Sequence, residues 1–243
     1  HASLVEKAIE NKKHCFVEKP LCIYPEELES IAAAHSGESL VQVGFNRRFS
    51  PMVQTMKKHL SGQISVNYRV NAGIIPKDVW IQDRELGGGR IIGEVCHFID
   101  TCSFLIDSEI VSVYASTVQK PNQSIPDEDN VNIILNYENG STATIAYYAY
   151  GDSTMSKEYI EVFGSGISME MHDFRELIIY ENGKKKKEKS SNQDKGFANE
   201  FKAFKEAVKT GTPAISFESI YNTTKTTFKI LESINVGTLV DVK

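Results

Sequence analysis

The chain lacks the marks of several protein classes. It has four cysteines, at 15, 22, 96 and 102, and no Cys-x-x-Cys pair. That spacing argues against a zinc site or a disulfide framework and suits a reducing, cytoplasmic compartment. No apolar run reaches the ~18 residues that a membrane-spanning helix needs. The net charge is −5, so there is no basic excess to draw nucleic acid or an anionic membrane. No internal repeat is visible, and Trp80 is the single tryptophan. A dinucleotide fingerprint is also missing. Gly87-Gly88-Gly89 does not fit a strand followed by Gly-x-Gly-x-x-Gly and an acidic residue about 20 positions on. What remains is an ordinary composition, 41% hydrophobic and 24% charged over 243 residues, enough for a good core and one or two domains.

The first 44 residues read as short β and α pieces. Leu4, Val5, Ala8 and Ile9 predict a helix over 3–12, and His14 to Val17 a buried strand stopped by Pro20. Pro25, with Glu26 and Glu27 behind it, starts a helix over 25–35, and 40–44 reads as the next strand. Ser50-Pro51 starts a further helix by cap and proline placement. From residue 63 the pattern becomes alternating. Strands are expected at 63–70, 110–118, 131–137, 142–150 and 159–164, with Asn139-Gly140 and Asn182-Gly183 as hairpin turns. Lys184-Lys185-Lys186-Lys187 reads as a solvated charge run beside a hairpin tip. Phe197, Phe201, Phe204 and Val208 at helical spacing read as core. A helix over 217–235 and a short strand over 238–242 finish the chain.

The most informative stretch is Gly87 to Asp100. Three glycines release the backbone, and a helical pattern follows. Ile91, Ile92, Val95, Ile99, Cys102 and Ile106 form an apolar face. Arg90, Gly93, Glu94, His97 and Thr101 fall together on another. Glycine within a helix costs about 1 kcal/mol relative to Ala, so Gly93 one turn before His97 suggests room left for a ligand. A half-buried structural histidine is the plain alternative.

Together with Glu18-Lys19-Pro20 and Gly44-Phe45-Asn46-Arg47-Arg48-Phe49, in that order, this stretch resembles the Gfo/Idh/MocA family of NAD(P)-dependent oxidoreductases over nearly the whole chain. The wording from Gly87 to Asp100 is similar to a branch in which such a domain follows a zinc-alcohol-dehydrogenase-like half. The resemblance implies an α/β (α+β) fold: residues 1–44 a remnant of a Rossmann dinucleotide-binding domain, residues 45–243 a substrate-binding and oligomerisation domain. That second domain would be a large, mainly antiparallel sheet with helices on one face. In the family a segment like His1-Ala2 lies late in the Rossmann domain. The chain is therefore expected to be a fragment lacking the glycine-rich loop, on the order of 100 residues, and by itself to bind NAD(P) weakly and be inactive.

The implied activity is hydride transfer between NAD or NADP and a hydroxyl of a sugar, sugar derivative or cyclitol. By the resemblance Lys19 is the catalytic lysine and His97 the base, with Glu18, Lys19 and Pro20 at the cofactor. Family members usually carry an aspartate where this chain has Gly93. Glu94 is the preferred acid in its place, and Asp100 the other candidate. Arg47 and Arg48, after a strand end, are candidates for a substrate anion, with a surface salt bridge the equal alternative. Lys77 and Trp80, on the loop before the helix, are further substrate candidates, with Trp80 as a loop anchor the competing reading. No metal is expected. The open sheet face predicts a homodimer or tetramer. A non-catalytic ligand-binding or scaffold domain is the alternative function.

Overall fold

The computed structural model describes residues 1–76, 78–118 and 127–243. Helix α1 (Ala2–Glu10) buries Ala2, Val5 and Ile9; of the face its spacing predicts, Val5 and Ile9 turn inward while Leu4 is 70% exposed. Strands β1 (Cys15–Val17) and β2 (Val41–Val43) pair in parallel, with α2 (Pro25–Ala34) between them. Pro25 holds the first position of α2, and a Glu27 carboxylate oxygen accepts the N–H groups of Ile23 and Tyr24 at 3.0 and 3.3 Å.

Helix α3 (Pro51–His59) leads into β3 (Ile64–Asn71). Helix α4 (Cys96–Ile106) then precedes the hairpin series β4 (Ile110–Thr117), β5 (Asn130–Tyr137) and β6 (Thr142–Tyr148). A second series follows: β7 (Glu158–Gly164), β8 (Ile167–His172), β9 (Glu176–Glu181) and β10 (Lys184–Lys189). Helices α5 (Phe197–Thr210) and α6 (Phe217–Val236) and strand β11 (Val240–Asp241) complete the chain. One sheet runs β10-β9-β8-β7-β3-β6-β5-β4-β11. Every neighbouring pair is antiparallel except β3 and β6, because β3 is inserted between the two hairpin series. The large, mainly antiparallel sheet is as the sequence predicts.

Alternation sets which face is inside. Val66, Tyr68, Val70, Ile133, Leu135, Ile145 and Ile160 are all buried, and α3, α4 and α6 pack over them. A second apolar cluster joins α1, α2, β1 and β2 to Cys96, Ile215 and Ile220. Residues of α4 and α6 thus belong to both clusters, which ties the first 44 residues to the helical layer. No helix among the described residues is long and apolar enough to cross a membrane.

Two readings need correction, and a third gains detail. The aromatic stripe of α5 is not core: Phe197 and Phe201 are 56% and 54% exposed, and the helix buries Glu200 and Ala207 instead. Spacing reveals that a helix has an apolar face, not what covers it. Here Phe201 stacks on Phe16 of β1 at 4.7 Å and stays half exposed. The lysine run is solvated, as expected, and it also forms a regular edge strand, β10, whose exposed lysines guard the sheet edge against further pairing. Ser50 does not cap α3; its hydroxyl donates to the Asp194 carbonyl at 2.8 Å. Segment 194–200 is thereby pinned to 46–50, closely enough that a Cβ on Gly196 (φ +91) would lie 2.3 Å from the Asn46 carbonyl oxygen.

Candidate active site

Lys19 lies two residues past β1, beyond the carboxyl end of a parallel strand, where open α/β sheets place ligands. Its ammonium donates to the Gly93 carbonyl oxygen at 2.8 Å across 74 residues of sequence. The chain from Ile91 to Val95 is a wide π turn leading into α4. Such turns are rare and often sit at functional sites. A uniform helical wheel misses the local change of pitch it brings.

Lys19 and Gly93 line one cavity of about 390 Å³ with Glu18, Pro20, Cys22 and Trp80. The indole of Trp80 is 65% exposed, on a short 3-10 turn, and so forms a wall of the cavity instead of a buried loop anchor. A Cβ on Gly93 would meet the Gly87 carbonyl at 3.6 Å and Ile81 at 3.8 Å, ordinary contact distances. The absence of a side chain at 93 is therefore not forced by crowding.

His97 follows one turn later. It is 6% exposed and is not part of that cavity's lining. Its Nδ1 is buried with no hydrogen-bond partner, an arrangement that costs free energy in a finished core. Burial holds the imidazole well below its ordinary range, and Arg47, Lys19, Lys157 and Lys195 push it the same way. His97 is therefore neutral at neutral pH, in the form a base needs.

Neither proposed acid holds the imidazole. Glu94 turns to other groups: Tyr147 at 2.5 Å, Lys157 at 2.6 Å and Arg90 at 3.2 Å. Burial works to raise its carboxyl, but Lys157, Tyr147 and Arg90 hold it down to about 2. Asp100 is fully buried and takes Nε and Nη2 of Arg48. Arg47 is likewise committed, with Nε and Nη2 on the Glu158 carboxylate at 2.8 and 2.9 Å. Both arginines are buried ion pairs, neither free for a substrate nor at the surface. The physical reason is topological: the turn at Asn46–Phe49 is covered by α4, α5 and α3. Lys77 lies outside the described residues.

Several residues of the site carried no local signal. Lys157 and Lys195 reach it from 63 and 37 residues away from their partners Glu94 and Glu158. Glu158 did leave a trace: it stands in phase with Ile160 and Val162, an acid at an inward position of a strand. Glu200 stands among the buried positions of α5 in the same way, 1% exposed, with Oε1 unpartnered. Burial pushes its carboxyl up to about 8, with Glu18 and Asp100 adding to the rise and Arg48 opposing it. A carboxyl raised on folding contributes stability that is fully present below its unfolded value of ~4.3 and is lost as pH rises through about 8. Glu200→Gln should thus stabilise the fold by on the order of 2 kcal/mol at pH 8, after allowance for solvent screening, and hardly at all at pH 4.5. Denaturant melts at the two pH values will show this; equal effects at both would refute it.

Known proteins similar to this chain agree with its fold. Residues 59–170 match the model of the GFO/IDH/MocA C-terminal domain. Over 176 residues, 68% of the chain, it is 32% identical to an uncharacterized oxidoreductase, YrbE, of Bacillus subtilis (strain 168), covering 50% of that protein. It is 29% identical over 176 residues to an inositol 2-dehydrogenase of Rhizobium meliloti (strain 1021), covering 68% of the chain and 52% of that protein. The chain spans about half the length of these curated relatives. Among solved structures, levoglucosan dehydrogenase in complex with NADH and levoglucosan superposes with a TM-score of 0.84 at 21% identity, over 100% of this chain and 77% of that one. An oxidoreductase domain protein from Kribbella flavida gives a TM-score of 0.87 at 18% identity, over 100% and 78%. The architecture, a wide and mainly antiparallel sheet with helices over it, is the one these solved structures share. The chain belongs to the Gfo/Idh/MocA family.

Proposed function

We propose that the chain is part of an NAD(P)-dependent dehydrogenase that oxidises a hydroxyl of a sugar, sugar derivative or cyclitol. The observation that carries this is the Lys19–Gly93 contact, which brings the end of β1 to the turn that opens the His97 helix. Residues 1–44 are read as the end of the cofactor domain and 45–243 as the substrate domain. The residues fit the nicotinamide end of the cofactor: Lys19, Pro20 and the Trp80 indole bound a cavity of the right size, about 390 Å³. The cofactor supplies hydride acceptance. Lys19 holds the substrate oxygen by hydrogen bonding and opposes its developing negative charge. Neutral His97 would take the proton from the hydroxyl oxygen, the carbon would give up its hydride, and the C–O group would become a carbonyl. Glu94 and Asp100 act by fixing Lys157, Arg90 and Arg48, not by touching the base. The curated relatives named as inositol dehydrogenases support the substrate class.

The other reading, a ligand-binding or scaffold domain, is favoured by one observation: among the described residues His97 Nδ1 has no acidic partner. Reduction of NAD⁺ by a panel of sugars and cyclitols, with the protein carrying its whole cofactor domain, separates the two. No turnover across the panel would favour the scaffold.

The outer sheet face carries Ile134 and Phe163, each more than 40% exposed, among polar side chains. We take it as the interface of a homodimer or tetramer. Light scattering should give at least twice the chain mass at micromolar concentration, and a clean monomer would sink this part.

A further inference from the structure

A second cavity, of about 350 Å³, lies at the other end of α4. That helix carries His97 in its first turn and Ser103 and Phe104 in its last. The two cavities share no lining residue. Phe104 and Ile110 give the second its apolar wall, and the first two turns of α6 complete it.

The threonines of α6 single this place out. Thr224, Thr226 and Thr227 donate their hydroxyls to helix carbonyls at 2.9, 2.7 and 2.7 Å. Thr223 lines the cavity, is 2% exposed, and makes no side-chain hydrogen bond among the described residues. A buried hydroxyl left so costs free energy unless something enters to take it. The side-chain amide of Asn222 beside it is also without a partner among the described residues. Arg48 lines the same cavity and is 8% exposed. Its Nε and Nη2 are spent on Asp100 and Ser219, which keeps it from the reacting substrate, but its Nη1 makes no hydrogen bond among the described residues. Glu109 and Glu218, exposed at the rim, have no ion pair among the described residues.

These groups select a ligand by its chemistry. Asp100 already meets the charge of Arg48, so the two rim carboxylates leave the cavity net negative and repel an anion. An ammonium carries no acceptor for Arg48 Nη1 or Asn222. A hydroxyl accepts and donates at once. We propose that this cavity is a second, non-catalytic binding site for a neutral polyhydroxylated ring, a sugar or cyclitol. Its hydroxyls accept from Arg48 and Asn222, engage Thr223 and donate to Glu218 and Glu109, while its ring carbons lie against Phe104. The site goes beyond the dehydrogenase reading and stands without it, since nothing in it needs a cofactor.

NMR of the amide-labelled full chain, titrated with myo-inositol and with D-glucose, tests this at the site itself. The amides of Ser219, Asn222 and Thr223 should shift saturably with at least one of the two. They should shift to the same extent in Lys19→Ala, whose lesion lies in the other cavity. Inorganic phosphate should leave them in place. Thr223→Val removes the hydroxyl at nearly constant shape and should weaken binding about two- to tenfold, the worth of one neutral hydrogen bond. Glu218→Gln, at an exposed position, should weaken it about fivefold, the difference between a charged and a neutral acceptor. No shift with either ring, shifts lost in Lys19→Ala, or a response to phosphate instead would each overturn the proposal. So would undiminished affinity in Glu218→Gln, which decides the matter if Thr223→Val does not fold. Sugar oxidation with no response at these amides would sink this site and leave the dehydrogenase reading intact.

Discussion

Replacing His97 with Ala should lower kcat for NAD(P)-linked sugar oxidation by roughly 10²-fold or more, the usual worth of a positioned base. Lys19→Ala should be comparable, because the oxygen that gives up its proton then loses its charged donor. Glu94→Gln should be milder. Its carboxylate meets Tyr147, Lys157 and Arg90 and touches neither Lys19 nor the imidazole. The pH profile adds a second readout. A protonated imidazole accepts no proton, so activity falls as pH drops through the pKa of His97. Burial and the neighbouring cations hold that value well below 6.5 in the free protein. kcat/KM should therefore be flat through neutrality, with its acid limb displaced below the ordinary histidine range. An active His97→Ala enzyme with an unchanged limb would place the base elsewhere.

Glu158→Gln should be the most destabilising of the single changes considered. The side chain is 0% exposed and accepts from Arg47 twice, from Tyr68 at 2.6 Å and from Lys195 at 2.9 Å. Removing its charge leaves a buried guanidinium without compensation, which costs about 3–5 kcal/mol. The sign with pH is fixed by the same contacts. Burial works to raise the Glu158 carboxyl, but Arg47, Lys195 and Tyr68 hold it at about 2. A carboxyl depressed on folding stabilises above its unfolded value, ~4.3, and that contribution is lost as pH falls toward about 2. The gap between native and variant in urea midpoint should thus be full at pH 7 and shrink below pH 4. A change under 1 kcal/mol at pH 7 would mean that the network relaxes around the lost charge.

Much of the fold was legible because alternation and helical spacing are local. The turn residues Asn139-Gly140 and Asn182-Gly183 sit where hairpins close, with Gly140, Asn182 and Gly183 at positive φ. Inward residues such as Val66, Ile145 and Ile160 followed from period two alone. The α5 stripe failed because covering a face requires a partner that spacing does not name. The two arginines were found by sequence, but their fate was not, because Glu158 and Asp100 lie 111 and 52 residues away.

The sequence by itself determined the elements, the glycine-led helix and the residue types able to do the chemistry, since each depends on neighbours within a few positions. Only the tertiary structure decided the pairings. It joined Lys19 to the Gly93 carbonyl, bound Glu94 to Lys157 and Tyr147, and left His97 without an acid. Those outcomes turn on how nine strands order themselves and which helix covers which strand end. A charge finds its partner through that packing, not through distance along the chain.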